Sequence, residues 1–305
     1  MNKTNSAHLA AIKAHLKQSS QYSDKTVEQI RLEMAEAAAN FPPLPDIVVE
    51  QITTPQLKGE WVYTAGRIDN GSHAILYFHG GGFIAGSCAF YRDLTARISQ
   101  ASGIKVLSVE YRLAPEHPYP AANEDCLAAY RWLLASGYSP GQIVLGGDSV
   151  GASLALMTLL SLRDSGEELP AGAFLLSPHT DLVHLDGESY QSRAELDPTG
   201  SRTGNQRMIE AYLGNFPEEA PLLLSPLRMN LEGLPDLFIQ VGDHEVLLSD
   251  ATRFADLARA AGAEVTLEIW DNMWSVFQCL AYMLPEAQQA IANIGQFVRV
   301  RLGLI

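Results

Sequence analysis

The sequence predicts an α/β protein in which a mainly parallel sheet is flanked by helices. Short apolar runs alternate with helical patterns along most of the chain, which is typical of parallel strands joined by right-handed crossovers. The segment Gly147–Gly151 fits the pattern G-x-S-x-G and lies between a short apolar run and a long apolar helix. With 305 residues, of which 47% are hydrophobic, the chain is long enough for one large domain with an appendage.

Residues 1–40 are predicted to be helical because apolar side chains recur at helical spacing. The residues that share a face are Leu9, Ile12 and Leu16 in one segment, and Val27, Ile30 and Met34 in the next. Three prolines in Phe41–Pro45 then end the pattern and indicate a linker. Residues 1–45 therefore form N-terminal helices, which are either a packing appendage or part of a lid over a site.

Eight segments of the remaining chain are predicted strands because they are short, apolar and bounded by turn residues. They are residues 47–53, 60–64, 73–79, 104–110, 142–145, 171–177, 236–241 and 264–270. Helices are predicted over residues 92–101, 121–136, 153–162, 249–261 and 285–301. The sheet should therefore have eight strands, with the helices on its faces.

The stretch 185–224 breaks this rhythm, because it is rich in glycine and proline and has one helical piece near 205–213. It is too long for a plain loop in a compact domain, and insertions of this length are often lids. We therefore assign residues 46–184 and 225–305 to the core, and 185–224 together with the N-terminal helices to a helical cap.

Composition excludes several classes of function. A net charge of -14 and a pI of about 4.9 disfavour nucleic acid or an anionic membrane as partner. No run of 18 apolar residues and no signal peptide is present, so we expect no membrane association. Cys88, Cys126 and Cys279 fit neither a disulfide framework nor a zinc site, and reduced thiols predict a cytoplasmic protein.

The triple glycine Gly80-Gly81-Gly82 follows a predicted strand that ends at His79. Glycines after a buried strand expose backbone N–H groups, which are the donors that an oxyanion requires. His79 itself could act as a base, but its position beside these donors favours a role in orienting the loop. A phosphate cradle is disfavoured because neither a P-loop nor a dinucleotide-binding pattern surrounds the glycines.

Four segments of the chain together resemble the hormone-sensitive-lipase-like carboxylesterases of the α/β-hydrolase superfamily. They are His79–Gly82, Tyr111–Pro120, Gly147–Gly151, and Gly242–Asp250 with Trp270–Phe277. The resemblance runs from about residue 40 to the C-terminus, and the N-terminal helices suit the cap of that family. It implies the α/β-hydrolase fold and hydrolysis of small carboxylic esters through an acyl-enzyme.

The resemblance also implies roles for individual residues. Ser149 is the expected nucleophile, and the backbone N–H groups of Gly81, Gly82 and Val150 form the expected oxyanion hole. Val150 and Ala152 depart from the alanine and glycine that are usual in relatives. Val150 contributes only its backbone N–H to the oxyanion hole. We therefore expect its bulkier side chain to narrow the part of the pocket that binds the acyl group and to leave the oxyanion hole intact.

Glu245 takes the position of the triad acid, where most relatives have aspartate and some have glutamate. Asp243 and Asp250 are rival carboxylates nearby. We favour Glu245 because the residues that follow it, up to Asp250, match the family pattern.

The catalytic histidine expected after this acid is absent. Relatives place it in the pattern Trp-x-x-Met-x-His-x-Phe, and here Trp270–Phe277 has Ser275 at the histidine position. The histidines of the chain, at positions 8, 15, 73, 79, 117, 179, 184 and 244, all precede Glu245. A serine hydroxyl needs an adjacent base, and Ser275 cannot act as one at neutral pH. The chain should therefore be a very poor esterase.

Three explanations for Ser275 remain open. The first is an engineered replacement of histidine by serine. The second is a natural non-catalytic protein that binds a small ligand in the same pocket; by analogy, the plant gibberellin receptors resemble this fold and also lack the base. The third is rescue of Ser149 by His244 or His179, which could lie at the active edge of the sheet.

The remaining predictions concern the pocket and the partners. Phe83, Tyr190 and Tyr212 are candidate pocket walls, although aromatic residues more often serve only in packing. We expect a small-molecule ester or ligand as partner, and no metal or organic cofactor. Dimers are common among relatives, but nothing in this sequence demonstrates a homodimer.

Overall fold

The computed structural model describes residues 4–19, 25–42, 44–66, 71–214 and 220–305. Within these ranges, an eight-stranded sheet has helices on both faces. The strands are β1 Ile47–Thr53, β2 Lys58–Thr64, β3 Ala74–Phe78, β4 Lys105–Val109, β5 Ile143–Asp148, β6 Gly172–Leu176, β7 Leu237–Gly242 and β8 Val265–Trp270. The α-helices are α1 Ser6–Ser19, α2 Val27–Asn40, α3 Cys88–Ser102, α4 Ala121–Ala135, α5 Val150–Asp164, α6 Ser189–Ser192, α7 Arg202–Leu213, α8 Leu248–Ala260 and α9 Pro285–Arg301.

The order of the strands determines where the site can form. The sheet runs β1-β2-β4-β3-β5-β6-β7-β8. The pairs β1–β2 and β2–β4 are antiparallel, and all later pairs are parallel, which confirms the predicted eight-stranded, mostly parallel sheet. The loops that follow β3, β5, β6, β7 and β8 therefore leave the same edge of the sheet, where α/β proteins bind their ligands.

Two apolar cores cover the two faces of the sheet. Side chains of β3 alternate between them: Leu76 and Phe78 pack in one core, and Ile75 and Tyr77 in the other. Helix α5 lies in the first core and is buried along most of its length, which confirms the predicted buried helix after Ser149. Because α5 is buried, its N-terminus at Val150, directly after Ser149, is held in a fixed position.

The cap contacts the core through helices α2 and α7. Arg31 of α2 donates hydrogen bonds from Nε to Ile84 O (2.7 Å) and from Nη2 to Ala114 O (2.8 Å), and it forms an ion pair with Glu116. A small cavity of about 30 Å³ lies where α2, α7 and Ile84 meet. That the N-terminal helices and the 185–224 insertion form one cap stays a prediction, and residues 215–219 of the insertion are outside the described part.

The cysteines and the helix lengths bear on the predicted thiols and on membrane spanning. Cys88, Cys126 and Cys279 are free thiols and form no disulfide. Among the helices in the described ranges, none combines the length and the hydropathy required to cross a bilayer.

Candidate active site

Ser149 lies in a strained turn between β5 and α5. Its backbone has φ 51° and ψ -121°, a conformation that non-glycine residues rarely adopt, and its N–H donates to Leu176 O (2.8 Å). A Cβ atom at Gly147 would lie 2.4 Å from Gly151 O, and one at Gly151 would lie 2.1 Å from Phe78 O. Both glycines are therefore required for the close approach of strand and helix. The turn leaves Ser149 half-buried at the carboxyl edge of the sheet.

The glycine loop lies beside Ser149 because β3 pairs directly with β5. Gly81 has φ 109° and Gly82 has φ 66°, and neither amide has a backbone acceptor within the described ranges. Val150 is the first residue of α5, so its N–H has no acceptor inside the helix. Three N–H donors are thus near the nucleophile, as the oxyanion-hole prediction requires.

Asp148 links the turn at Ser149 to the glycine loop through hydrogen bonds. Its Oδ1 accepts hydrogen bonds from Gly80 N (2.9 Å) and from Tyr77 Oη (2.7 Å). The carboxyl is fully buried, and burial raises its pKa to about 7 despite these donors. We did not single out Asp148 from the sequence, although it is the variable residue that precedes the serine in G-x-S-x-G.

His79 also contacts the glycine loop. Its ring stacks between Tyr91 and Tyr111, with centroid distances of 5.5 and 4.3 Å, and Nδ1 lies 2.7 Å from Gly80 O. Tyr111 Oη donates to His79 O (2.7 Å). Burial lowers the pKa of the imidazole, and the structure shows no hydrogen bond between His79 and Ser149. These contacts support the loop-orienting role and not the role of a base.

Glu245 is fully buried in the loop after β7. Its Oε1 accepts hydrogen bonds from Ser177 Oγ (3.0 Å) and from Gly242 N. Ser177 Oγ also accepts from Val276 N (3.0 Å), so this hydroxyl joins the acid loop to the loop after β8. Because Ser177 follows directly after Leu176, which accepts from the Ser149 N–H, it connects all three loops.

The rival carboxylates have other partners. Asp243 Oδ1 accepts from Asn272 N (2.6 Å), and Asp250 Oδ2 accepts from Thr180 N (3.1 Å) and Asp181 N (3.2 Å). Of the three carboxylates, Glu245 is the one whose pKa is lowered by the hydroxyl of Ser275, and its role as the triad acid stays a prediction.

The second oxygen of Glu245, Oε2, is buried and accepts no hydrogen bond within the described residues. The hydroxyl of the half-buried Ser275 lies near enough to favour the ionised carboxylate, but it does not satisfy Oε2. Burial and, to a lesser extent, the negative charge of Asp197 together raise the pKa of Glu245 to about 8. Asp197, which we also did not predict, is itself buried and accepts from Val246 N (2.8 Å).

Comparison with known proteins places this geometry in a family. Residues 75–279 match the model of the alpha/beta hydrolase fold. The chain is 41% identical over 252 residues to an acetyl-hydrolase of Streptomyces hygroscopicus, covering 83% of each chain. An esterase of Acinetobacter venetianus is 35% identical over 257 residues, covering 84% of each chain. A solved esterase of the bacterial hormone-sensitive lipase family has a TM-score of 0.92 and 40% identity, covering 98% of this chain and 100% of that one.

The chain belongs to the hormone-sensitive-lipase-like carboxylesterases of the α/β-hydrolase superfamily. This confirms the resemblance on which the site residues were assigned. Membership of this serine hydrolase family supports carboxylic-ester hydrolysis as the chemistry of the scaffold. It does not supply the histidine, since Ser275 remains at that position.

The two histidines considered as substitutes for the family's base, His244 and His179, have other partners. His244 Nδ1 lies 2.6 Å from Lys13 Nζ, and His179 Nε2 lies 3.0 Å from Tyr190 Oη. Burial lowers the pKa of His179 to about 4. Neither ring forms a hydrogen bond to Ser149. The rescue hypothesis therefore receives no support from these contacts.

The predicted pocket residues are buried aromatic side chains. Phe83 and Tyr212 stack on each other with their centroids 3.9 Å apart, and Tyr190 accepts a hydrogen bond from Asn205 (3.0 Å). Their role as pocket walls stays a prediction. The structure adds Met208 of α7, whose Sδ lies 2.2 Å from where a Cβ at Gly82 would stand. The cap thus covers the glycine loop.

A separate cavity of about 780 Å³ lies between α1, the end of β8 and the start of α9. Lys13, Ile269 and Glu286 are among its lining residues, but Ser149, Glu245 and Ser275 are not. The catalytic chemistry is therefore assigned from the loops at the sheet edge and not from this larger cavity.

The raised pKa of Glu245 predicts an effect on stability. The native state keeps a proton that the unfolded state releases above its ordinary pKa of 4.5, so stability is lost as the pH rises toward 8. For one proton, the free energy of unfolding falls by up to ~1.4 kcal/mol per pH unit. We expect Glu245→Gln to flatten this slope in urea unfolding, relative to the unmodified chain.

The exposed Glu232→Gln serves as the matched control and should leave the slope unchanged. Other buried carboxyls, such as Asp148 and Asp250, contribute slopes of their own, so the difference between the two variants is the quantity to compare. An equal slope in both variants would mean that Glu245 is ionised throughout this pH range.

Proposed function

We propose that this chain has the scaffold of a carboxylesterase for short-acyl esters. We propose further that its turnover is very low because Ser275 stands in place of the catalytic histidine. The observation that carries the proposal is the buried Oε2 of Glu245, which has no hydrogen-bond partner beside Ser275. In a serine hydrolase triad, the acid accepts a hydrogen bond from the ring N–H of the histidine. Here the acid is held in place by Ser177 and Gly242, and the group that it should orient is absent from the sequence.

We assign the other steps of ester hydrolysis to the nucleophile turn and the glycine loop. Ser149 Oγ would attack the ester carbonyl, and the N–H groups of Gly81, Gly82 and Val150 would stabilise the resulting oxyanion. The missing step is removal of the Ser149 proton and its delivery to the leaving alcohol. Removal of a triad member leaves about 10³–10⁴-fold catalysis over water, from the oxyanion hole and binding alone. We expect the unmodified chain to perform at about that level.

The preference for short acyl groups rests on the cap and on the relatives. Met208 lies directly over Gly82, and Val150 is bulkier than the residue usual at its position. Two relatives are named acetyl-hydrolases, and a related esterase of known structure (TM-score 0.91, 40% identity) was soaked with p-nitrophenyl butyrate. We therefore propose acetate and butyrate esters as the test substrates.

A non-catalytic ligand-binding protein is the second candidate. The observation that favours it is again Ser275, since a binding protein needs the pocket and not the base. In that case the strained turn at Ser149 would be a feature of the fold retained without catalysis.

Covalent labelling of Ser149 by a reactive alkyl phosphonate distinguishes these proposals. We expect slow labelling, followed by intact-protein mass spectrometry and peptide mapping, and none in Ser149→Ala. The Ser275→His variant should label several orders of magnitude faster.

Fast labelling of the unmodified chain at neutral pH would contradict the proposal, because some base would then serve Ser149. If Ser275→His is folded and is also not labelled, then the absent base is not the only obstacle to catalysis. The hypothesis of a ligand-binding protein is then favoured.

A further inference from the structure

We propose that the space between Ser149, Glu245 and Ser275 binds a basic azole ring from outside the chain, such as imidazole, and uses it as the missing base. The ring would come either free from solution or as part of the ester substrate. This inference rests on the proposed function and adds to it a ligand class and a dependence of turnover on that ligand.

The carboxylate oxygen Glu245 Oε2 supplies the recognition. It is fully buried and has no hydrogen-bond partner within the described residues, whereas Oε1 already has two donors. In the absence of a ligand Glu245 keeps its proton up to a pH of about 8, because on ionisation Oε2 becomes a buried charged acceptor without a partner. Such an acceptor costs more than the ~1–3 kcal/mol of a neutral one. A ligand that donates an N–H to Oε2 removes that cost, so the site favours a ring with an N–H group over one without.

The loops hold the two ends of this space at fixed positions. The Ser149 N–H bonds to Leu176 O, the next residue Ser177 bonds to Glu245, and Val276 N bonds to Ser177 Oγ. The backbone next to Ser275 is therefore attached to the same hydroxyl that holds the acid. Ser149 and Ser275 are both half-buried, so each side chain is partly accessible to solvent.

An azole has the two nitrogen atoms that this arrangement requires. Its N–H donates to Glu245 Oε2, and its unprotonated nitrogen accepts the proton of Ser149 Oγ as Oγ forms a bond to the carbonyl carbon. The carbonyl π electrons move to the oxygen in the oxyanion hole. When the intermediate collapses, the C–O bond to the leaving alcohol breaks, and the ring returns the proton to that oxygen. Water then repeats the sequence on the acyl-enzyme, and the ring is regenerated.

The test measures p-nitrophenyl butyrate hydrolysis by the unmodified chain and by Ser275→Gly at increasing imidazole. We expect kcat/KM to rise by about 10²-fold or more and to saturate, since a general base contributes about 10²–10⁴-fold. Ser275→Gly, which removes the side chain that occupies part of the space, should saturate at lower imidazole. Ser149→Ala at each concentration gives the rate of direct hydrolysis by imidazole in solution.

1-Methylimidazole is the matched ligand control, because it keeps a basic nitrogen and lacks the N–H. We expect little rescue with it, and we expect Glu245→Gln to weaken rescue by imidazole. To separate the two sources of the ring, an N-acetylhistidine ester is compared with the N-acetylphenylalanine ester, without added base. Preference for the histidine ester would assign the ring to the substrate, and rescue by imidazole alone would assign it to a free ligand.

The outcomes separate this inference from the proposed function. If Ser275→His is active but neither imidazole nor the histidine ester increases turnover through Ser149, the inference is overturned and the esterase proposal stands. Equal rescue by imidazole and 1-methylimidazole would also overturn it, because the bond to Glu245 would not be used. If Ser275→His is folded and inactive, both proposals fail.

Discussion

The Ser275→His variant is expected to hydrolyse p-nitrophenyl butyrate with a kcat/KM about 10⁴–10⁶-fold above that of the unmodified chain. The physical reason is that an imidazole at this position can donate its N–H to Glu245 Oε2 and accept the proton of Ser149. The change restores a base and also satisfies a buried acceptor. Initial rates at neutral pH, with folding checked by thermal unfolding, measure the effect.

Ser275→Ala is the matched control for this gain. It removes the same hydroxyl without adding a base, so its activity should stay at the level of the unmodified chain. The double variant Ser149→Ala with Ser275→His should lose the gain completely. A gain that survives in this double variant would place the reaction at another nucleophile.

Gly81→Ala, made in the Ser275→His background, is expected to lower kcat by about 10²–10³-fold. Gly81 has φ 109°, and a Cβ there would lie 2.3 Å from Ala85 O, which is a backbone atom that cannot turn away. Since Ala85 N and Ile84 N both donate to Gly81 O, the whole turn must shift to relieve the clash. The N–H donors would then no longer point at the oxyanion. Steady-state kinetics on p-nitrophenyl butyrate separate this loss in kcat from a change in KM.

Gly137→Ala controls for backbone strain alone. Gly137 has φ 98°, and its Cβ would meet no atom within 4 Å. It lies between α4 and β5, before the strand that leads to Ser149. We expect a loss of about 1–3 kcal/mol in stability and an unchanged kcat. A comparable loss of kcat in both variants would show that strain, and not the oxyanion donors, accounts for the effect at Gly81.

Much of the fold could be predicted because the apolar runs and turn residues of the sequence coincide with the strands and helices of the structure. Strand β1 has the predicted bounds. Strand β5 continues through Gly146 and Gly147 to Asp148, because Gly146 makes room for the ring of Phe174 and Gly147 for the start of α5. Helix α3 begins at Cys88 and not at residue 92, since the side chain of Ser87 caps it by accepting from Phe90 N. The strand order could not be read from the chain, because non-local pairing determines it.

The nucleophile, the glycine loop and the acid were predicted because short motifs specify them. The residues that hold them were not. Ser177 ends an ordinary apolar strand, and Asp197 lies in the irregular cap insertion, so neither has a local signal. Asp148 could have been found, since it precedes Ser149 directly and a charged residue at the end of a buried strand needs a partner.

The decisive measurement of whether Ser149 lacks a base is the initial rate of p-nitrophenyl butyrate hydrolysis by the unmodified chain, compared with that of Ser149→Ala at neutral pH. We predict a rate no more than about 10³–10⁴-fold above that of hydrolysis in water. The rate of Ser149→Ala should lie within roughly tenfold of this, because an unactivated serine adds little to the effects of binding and the oxyanion hole. A turnover of about 1–10³ s⁻¹ that disappears in Ser149→Ala would contradict the absence of a base, because a group other than Ser275 would then be accepting the proton of Ser149.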